Sequence, residues 1–108
     1  MNDSWNRIVI TGVGLVSPIG NSLKEFRKSL LEGRSGVRKL SVRLMGEVFA
    51  GVCEFDELKY QSKKNRKRGT RAGSISIFCA NEAITDSKID LKNIDRSRAG
   101  VYVGITDH

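Results

Sequence analysis

The sequence predicts an α/β fold in which strands and helices follow one another in the order β-α-β-α-β. Residues 8–10, 47–52 and 99–105 predict short strands, because they are mainly β-branched, aromatic or apolar. Two further segments predict helices, one after Ser22 and one over residues 70–87. Strands that alternate with helices favour a parallel sheet with right-handed crossovers and with helices on both faces.

The first predicted strand, residues 8–10, leads directly into a loop that contains Gly12 and Gly14. Glycines here indicate that the backbone needs unusual freedom or approaches another segment closely. A Gly-x-Gly pair after a strand also occurs in dinucleotide-binding folds, where a third small residue opens the next helix and its N-terminus holds the pyrophosphate. Ser17 and Pro18 stand at that point here, so the sequence argues against a nucleotide site.

Local signals place both helices. Ser22 and Glu25 form a capping box at the start of the first helix, and Gly33 stands where a C-cap glycine is expected. Residues 37–45 then predict an irregular segment before the second strand. Over residues 70–87 apolar residues recur at steps of three and four, which predicts a helix with one apolar face.

Two shorter helical turns are also predicted. One lies at residues 55–60, before the second long helix, and the other at residues 91–94, after it. Asp90 precedes the second turn, and its short carboxylate side chain is suited to capping the first amides of that turn.

Length and charge limit the classes of function that the chain can have. The chain has 108 residues, which fits one small domain, and its formal net charge at pH 7 is +7. A positive balance of this size favours acidic partners, which include nucleic acid, an anionic membrane surface and an acidic protein. No apolar run approaches the roughly 20 residues of a membrane span. The first residues lack a secretory signal pattern, so a cytoplasmic location is expected.

Cys53 and Cys79 are the only cysteines, and their spacing matches neither a zinc site nor a redox motif. Cys79 occupies an apolar position of the predicted second helix, where a free thiol packs as a small hydrophobe. A cysteine–histidine catalytic pair is compatible with the spacing, but His108 is the last residue and is poorly held for catalysis.

Two motifs lie near the start of the chain. Residues 11–20 contain T-G-x-G-x-x-S-P-x-G, and residues 26–36 contain F-x-x-x-L-x-x-G-x-S-G. Together they resemble the N-terminus of β-ketoacyl-acyl-carrier-protein synthases, the condensing enzymes of fatty-acid synthesis. The likeness continues through A-x-x-D-S at residues 83–87 and the strand segment at 99–104. It implies a thiolase-like fold, of which residues 1–108 form the N-terminal segment of the first α/β half, an incomplete domain.

In this family a cysteine takes up the acyl chain as a thioester, and two histidines assist the decarboxylation of malonyl-carrier protein. The resemblance implies that these residues align beyond His108 and that neither Cys53 nor Cys79 is the nucleophile. It therefore implies no catalytic residue within this chain. It also implies a homodimeric full-length enzyme that uses no metal or nucleotide cofactor.

The basic run before the second long helix corresponds, in relatives, to a surface that meets acyl carrier protein, an acidic protein. Lys64, Lys67 and Arg68 fall on the positions that make this contact. A cationic patch speeds the encounter with an acidic partner and sets its orientation. Two alternatives stay open, a solvated face that only keeps the protein soluble and nucleic-acid binding, for which the run contains no interleaved aromatic residue.

The chain departs from chain-elongating relatives at residues 104–108, where they have a glycine-serine-glycine loop and an apolar gate to the acyl pocket. Asp107 falls at or next to the gate position, and a carboxylate there is costly to desolvate. The substrate then differs from an ordinary long acyl chain, or the protein is a divergent paralogue. A truncated, non-catalytic chain that only binds a partner is the alternative interpretation of the whole sequence.

Overall fold

A computed structural model describes residues 6–106. Helix α1 spans Leu23–Leu31, strands β1 and β2 span Val37–Val42 and Gly46–Gly51, and helices α2 and α3 span Lys63–Arg68 and Arg71–Ser87. A single 3-10 turn follows at Arg96–Arg98. No helix in residues 6–106 combines the length and the apolar content that crossing a lipid bilayer would require.

The structure confirms the first predicted helix and its capping box. The Ser22 hydroxyl accepts a hydrogen bond from the amide of Glu25 at 3.1 Å. The Glu25 carboxylate in turn accepts the amide of Asn21 at 2.8 Å, which is one residue earlier than in the usual arrangement. These two bonds satisfy amides at the start of α1 that have no partner within the helix.

The second predicted helix is confirmed as well, whereas the helical turn predicted at residues 91–94 is a simple turn. The Thr70 hydroxyl accepts the amide of Gly73 at 3.0 Å, so α3 begins where the apolar periodicity begins. The helix ends at Lys88, whose φ of 58° is the left-handed conformation typical of a helix end. Asp90 then caps the following turn, because its carboxylate accepts the amide of Lys92 at 3.0 Å.

The predicted order β-α-β-α-β is wrong for the described residues. The predicted second strand forms as β2, but it pairs antiparallel with β1, in a segment predicted to be irregular. Residues 8–10 and 99–105 form no ladder, and the β1–β2 hairpin is the only sheet within residues 6–106. The physical reason is that a strand needs a second strand for its N–H and C=O groups, and these two segments do not pair with each other.

The core of the described part centres on Phe78 of α3, whose side chain is 6% exposed and is the only buried apolar one there. Phe55 and Tyr60 pack on it, with ring centroids 5.1 and 5.9 Å from that of Phe78. The predicted helical turn between these two aromatic residues is a simple turn rather than a helix. The core therefore lies between α3 and the segment that precedes α2.

Residues 11–16, here called the glycine loop, lie directly on the backbone of α3. A Cβ atom on Gly14 would be 2.0 Å from the carbonyl oxygen of Cys79, and one on Gly12 would be 2.2 Å from that of Ala83. Real Cβ atoms essentially never come within 3.0 Å of such a neighbour. Of the two roles predicted for these glycines, the structure shows the close approach to another segment.

The second half of the first motif, residues 17–20, folds back on itself beside the hairpin. The Ser17 hydroxyl donates a hydrogen bond to the carbonyl oxygen of Gly20 at 2.6 Å. Pro18 packs against Gly36 and Gly51, which lie just before β1 and at the end of β2. The two motifs identified in the sequence are therefore in contact, and both have a packing role.

We expect Gly14→Ala to lower the free energy of unfolding of the chain by about 1–3 kcal/mol, because the added methyl group overlaps the α3 backbone. Urea unfolding followed by circular dichroism measures this. Gly104→Ala is the control, since a Cβ atom there meets nothing within 4 Å. Equal unfolding midpoints for the two variants would contradict the packing of the glycine loop on α3.

Candidate functional site

The basic run of the sequence folds into α2, a helix of 6 residues. Its N-cap is Ser62, whose hydroxyl accepts the amide of Asn65 at 3.1 Å. Lys64, Lys67 and Arg68 are three and four positions apart, so they share one side of this helix, here called the basic face. All three side chains are exposed.

The basic face carries uncompensated charge. Among residues 6–106, none of Lys64, Lys67 and Arg68 has a carboxylate oxygen within 4.0 Å. Positive side chains in the last turn of α2 also interact favourably with the helix dipole. The structure therefore brings together the three residues predicted from the sequence and leaves their charges toward solvent.

Two other arginines of the same run serve a different purpose, because both contact Glu57. Arg66 forms an ion pair with it, Nε lying 3.1 Å from Oε2. Arg71 forms both an ion pair and a hydrogen bond, with Nη1 at 2.6 Å from Oε1. Glu57, Arg66 and Arg71 are here called the Glu57 cluster. Arg66 and then Arg71 hold the pKa of Glu57 below its ordinary value, so the carboxylate stays ionised at neutral pH.

Further polar contacts tie the segment before α2 to the first turns of α3. Arg71 donates a second hydrogen bond, from Nη2 to the carbonyl oxygen of Cys53 at 2.5 Å. The side-chain amide of Gln61 donates to the carbonyl oxygen of Glu57 and to the hydroxyl of Ser74, both at 3.0 Å. Ser74 is buried, at 3% exposure. The backbone around Glu57 is therefore held from two positions on α3.

Lys59, the basic residue just before the run, is also used internally. Its Nζ atom donates to the Glu82 carboxylate at 2.8 Å and lies 5.2 Å from the ring centroid of Tyr60. The Glu82 carboxylate raises the pKa of Lys59 above its ordinary value. Lys59 therefore belongs to the surroundings of the aromatic core rather than to the basic face.

The surroundings of Cys79 differ from those of a catalytic thiol. Cys53 and Cys79 are both half-buried free thiols. Burial raises the pKa of the Cys79 thiol, which disfavours the thiolate that a nucleophile needs. The position of Cys79 on α3, against the glycine loop, supports the structural role predicted for it. His108 and Asp107 lie outside the described residues.

A metal centre has no support in this part of the chain. Within residues 6–106 there is no group of at least 3 His, Cys, Asp or Glu side chains that could hold a metal ion. The sequence does not reveal the contacts of Glu57, since its two arginine partners lie on different helices and only the folded chain brings them to one carboxylate.

We expect Glu57→Gln to lower the thermal stability of the chain at neutral pH, because the guanidinium groups of Arg66 and Arg71 then lose their negatively charged partner. The pKa of Glu57 is lower in the folded than in the unfolded chain. Its contribution is therefore present above the unfolded value, about 4.5, and is lost as the pH falls through the folded value. Melting curves recorded by circular dichroism from neutral to acidic pH should show the wild-type advantage disappear in acid.

The control for this experiment is Glu47→Gln. Glu47 forms one exposed ion pair, with Lys39 at 2.6 Å, and such pairs contribute little to stability. An advantage of the wild type over Glu57→Gln that persists unchanged in strong acid would contradict the role of the ionised carboxylate.

Comparison with known proteins agrees with the resemblance drawn from the two motifs. A family model described as the N-terminal domain of β-ketoacyl synthase matches residues 5–108. The chain is 30% identical to the 3-oxoacyl-[acyl-carrier-protein] synthase 2 of Synechocystis sp. over 106 residues, which are 91% of this chain and 24% of that protein.

Proteins of the same name give similar values. The identity is 33% for that of Vibrio harveyi, with 94% of this chain and 25% of the relative covered. It is 34% for that of Staphylococcus aureus, with 91% and 25% covered. The chain thus spans about a quarter of the length of the curated relatives it matches. No solved structure gives a significant match.

Proposed function

The chain belongs to the β-ketoacyl synthase family through its N-terminal domain, and on this premise we propose that the full-length protein is a 3-oxoacyl-[acyl-carrier-protein] synthase. Support comes from relatives of that name, which align over 91–94% of the chain. Residues 1–108 would form the N-terminal segment of one thiolase-like half, which is an incomplete domain. The protein would act in the cytoplasm as a homodimer.

The proposed reaction is a decarboxylative condensation. The malonyl group on the carrier protein loses carbon dioxide, and the resulting carbanion attacks the carbonyl carbon of an acyl group held as a cysteine thioester. The carbon–sulfur bond breaks, and the cysteine thiol is released as 3-oxoacyl-carrier protein forms. The 108 residues would lack the catalytic cysteine and histidines, and would contribute structure and partner binding.

The observation that carries the partner assignment is the basic face. Lys64, Lys67 and Arg68 are exposed on one side of α2 and have no carboxylate nearby in residues 6–106. Arg66 and Arg71 instead share the one carboxylate of Glu57, which offsets one of their two positive charges. A compact cationic patch beside a partly compensated one suits an acidic protein that must arrive in a defined orientation. We therefore propose that the basic face binds acyl carrier protein.

Two other functions are less well supported. Nucleic-acid binding would call for aromatic side chains on which bases stack, and α2 contains none. A truncated chain without catalysis would keep the same basic face and would at most bind the carrier protein. Asp107 stays our proposal for the gate of the acyl pocket, where a carboxylate would favour a substrate other than an ordinary long acyl chain.

We expect charge reversal of the basic face (Lys64→Glu, Lys67→Glu, Arg68→Glu) in the full-length protein to raise KM for malonyl-carrier protein about tenfold or more. The value of kcat should change little, because the altered residues act on the encounter rather than on the chemistry. Steady-state kinetics at two salt concentrations measures this, and the difference between variant and wild type should shrink at higher salt.

The chain offers a matched control on α1. Lys24, Arg27 and Lys28 have the same spacing and are also exposed, so their reversal to glutamate changes the net charge equally. This control should leave KM close to the wild-type value. Equal KM for the basic-face variant and the wild type at low salt would contradict the carrier-protein assignment, and tight binding of an oligonucleotide at physiological salt would favour the nucleic-acid alternative.

A further inference from the structure

We infer that Glu57 is a positioning residue for carrier-protein binding, because it holds Arg66 toward the body of the protein and so fixes which side of α2 faces the partner. The inference rests on the proposed function of the basic face. It concerns a residue that lies outside that face and that carries the opposite charge.

Helix α2 cannot fix its own orientation. It has 6 residues, none of them buried, whereas isolated helices in water need roughly 12–15 residues to be even marginally stable. Its C-cap, Gly69, is an extended residue without a side chain, so the link to α3 provides little restraint. The direction in which α2 presents its side chains must come from contacts with the rest of the chain.

One polar contact supplies this restraint. Apart from the hydrogen bond between Asn65 and its own N-cap Ser62, the ion pair between Arg66 and Glu57 is, among residues 6–106, the only ion pair or side-chain hydrogen bond that joins α2 to the rest of the fold. Both side chains are largely covered, at 30% and 25% exposure. An ion pair that is partly shielded from water is stronger than one at the open surface.

The helical spacing of the side chains means that the Arg66–Glu57 contact fixes which side of α2 faces solvent. Each residue of an α-helix is turned by about 100° from the one before it. Lys64 precedes Arg66 by two residues and Arg68 follows it by two, so each is turned by about 200° from Arg66 and lies on the far side of the helix. When Arg66 faces Glu57, these two cations must therefore face away from the body of the protein. Lys67, turned by about 100° from Arg66 and about 60° from Lys64, lies at the edge of the face.

Glu57 is itself firmly placed. Its carboxylate also binds Arg71, whose guanidinium carbon lies 4.9 Å from the ring centroid of Phe55. Phe55 in turn packs on Phe78, the buried residue of the core. The carboxylate thus connects the orientation of α2 to the aromatic core.

Electrostatic attraction alone predicts that removing Glu57 strengthens carrier-protein binding, which is the opposite of what a positioning role predicts. Removing a negative charge close to a cationic face, and freeing Arg66, would strengthen the attraction of an acidic partner. If Glu57 positions α2, its removal weakens binding instead. The sign of the change therefore separates a positioning role from a simple electrostatic one.

The experiment uses the full-length protein with Glu57→Gln, with Arg66→Gln, and with both changes. Arg66→Gln breaks the contact from the side of α2 and leaves the Glu57–Arg71 pair intact, so the core keeps its support. Condensation is measured with malonyl-carrier protein and with a small malonyl thioester that has no carrier. We expect each single variant to raise KM for malonyl-carrier protein about threefold to tenfold, with kcat little changed and with unchanged kinetics on the small thioester.

The double variant should be no worse than either single variant, because both break the same contact. Glu47→Gln is the control and should leave KM unchanged. An unchanged or lowered KM for Glu57→Gln would overturn the inference whatever Arg66→Gln does, because the loss of the Arg66 charge alone weakens the attraction of an acidic partner. An equal loss with the small thioester would also overturn it, since that would mean a general loss of structure. Charge reversal of the basic face tests the proposed function separately, so a raised KM there with normal KM for Glu57→Gln would reject only the positioning role.

Discussion

The contact between the glycine loop and the backbone of α3 is the constraint on which the described fold depends. Gly12 and Gly14 bring one part of the chain within contact of the carbonyl groups of α3, and no side chain fits between them. On another part of the same helix, Phe78 receives Phe55 and Tyr60. Both segments therefore take their position from the same helix.

The sequence predicted those elements that depend on local signals. The capping box of α1 and the apolar period of α3 lie within each helix, so they could be recognised without the fold. Strand pairing is a non-local property, and residues 8–10 illustrate this: their composition is typical of a strand, yet Ile8 and Ile10 are 98% and 87% exposed. The composition of β1 does not predict a strand, because three of its residues, Arg38, Lys39 and Ser41, are polar and are not β-branched.

The same distinction between local and non-local features applies to the candidate site. Lys64, Lys67 and Arg68 could be named from helical spacing and family resemblance, because they share one side of a single short helix. Glu57 could not be named from the sequence, since its two partners belong to α2 and α3 and only the packing of these helices brings them together. A sequence shows that a run is basic, but only the fold shows which of its cations have an acidic partner.

This division also determines which substitutions the run can tolerate. Arg71 uses Nη1 for Glu57 and Nη2 for the carbonyl oxygen of Cys53, and a single ammonium group has neither the planar shape nor the reach to replace both contacts. The basic face requires only positive charge near the surface. Lysine and arginine should therefore be interchangeable at positions 64, 67 and 68 over evolutionary time, while position 71 keeps arginine.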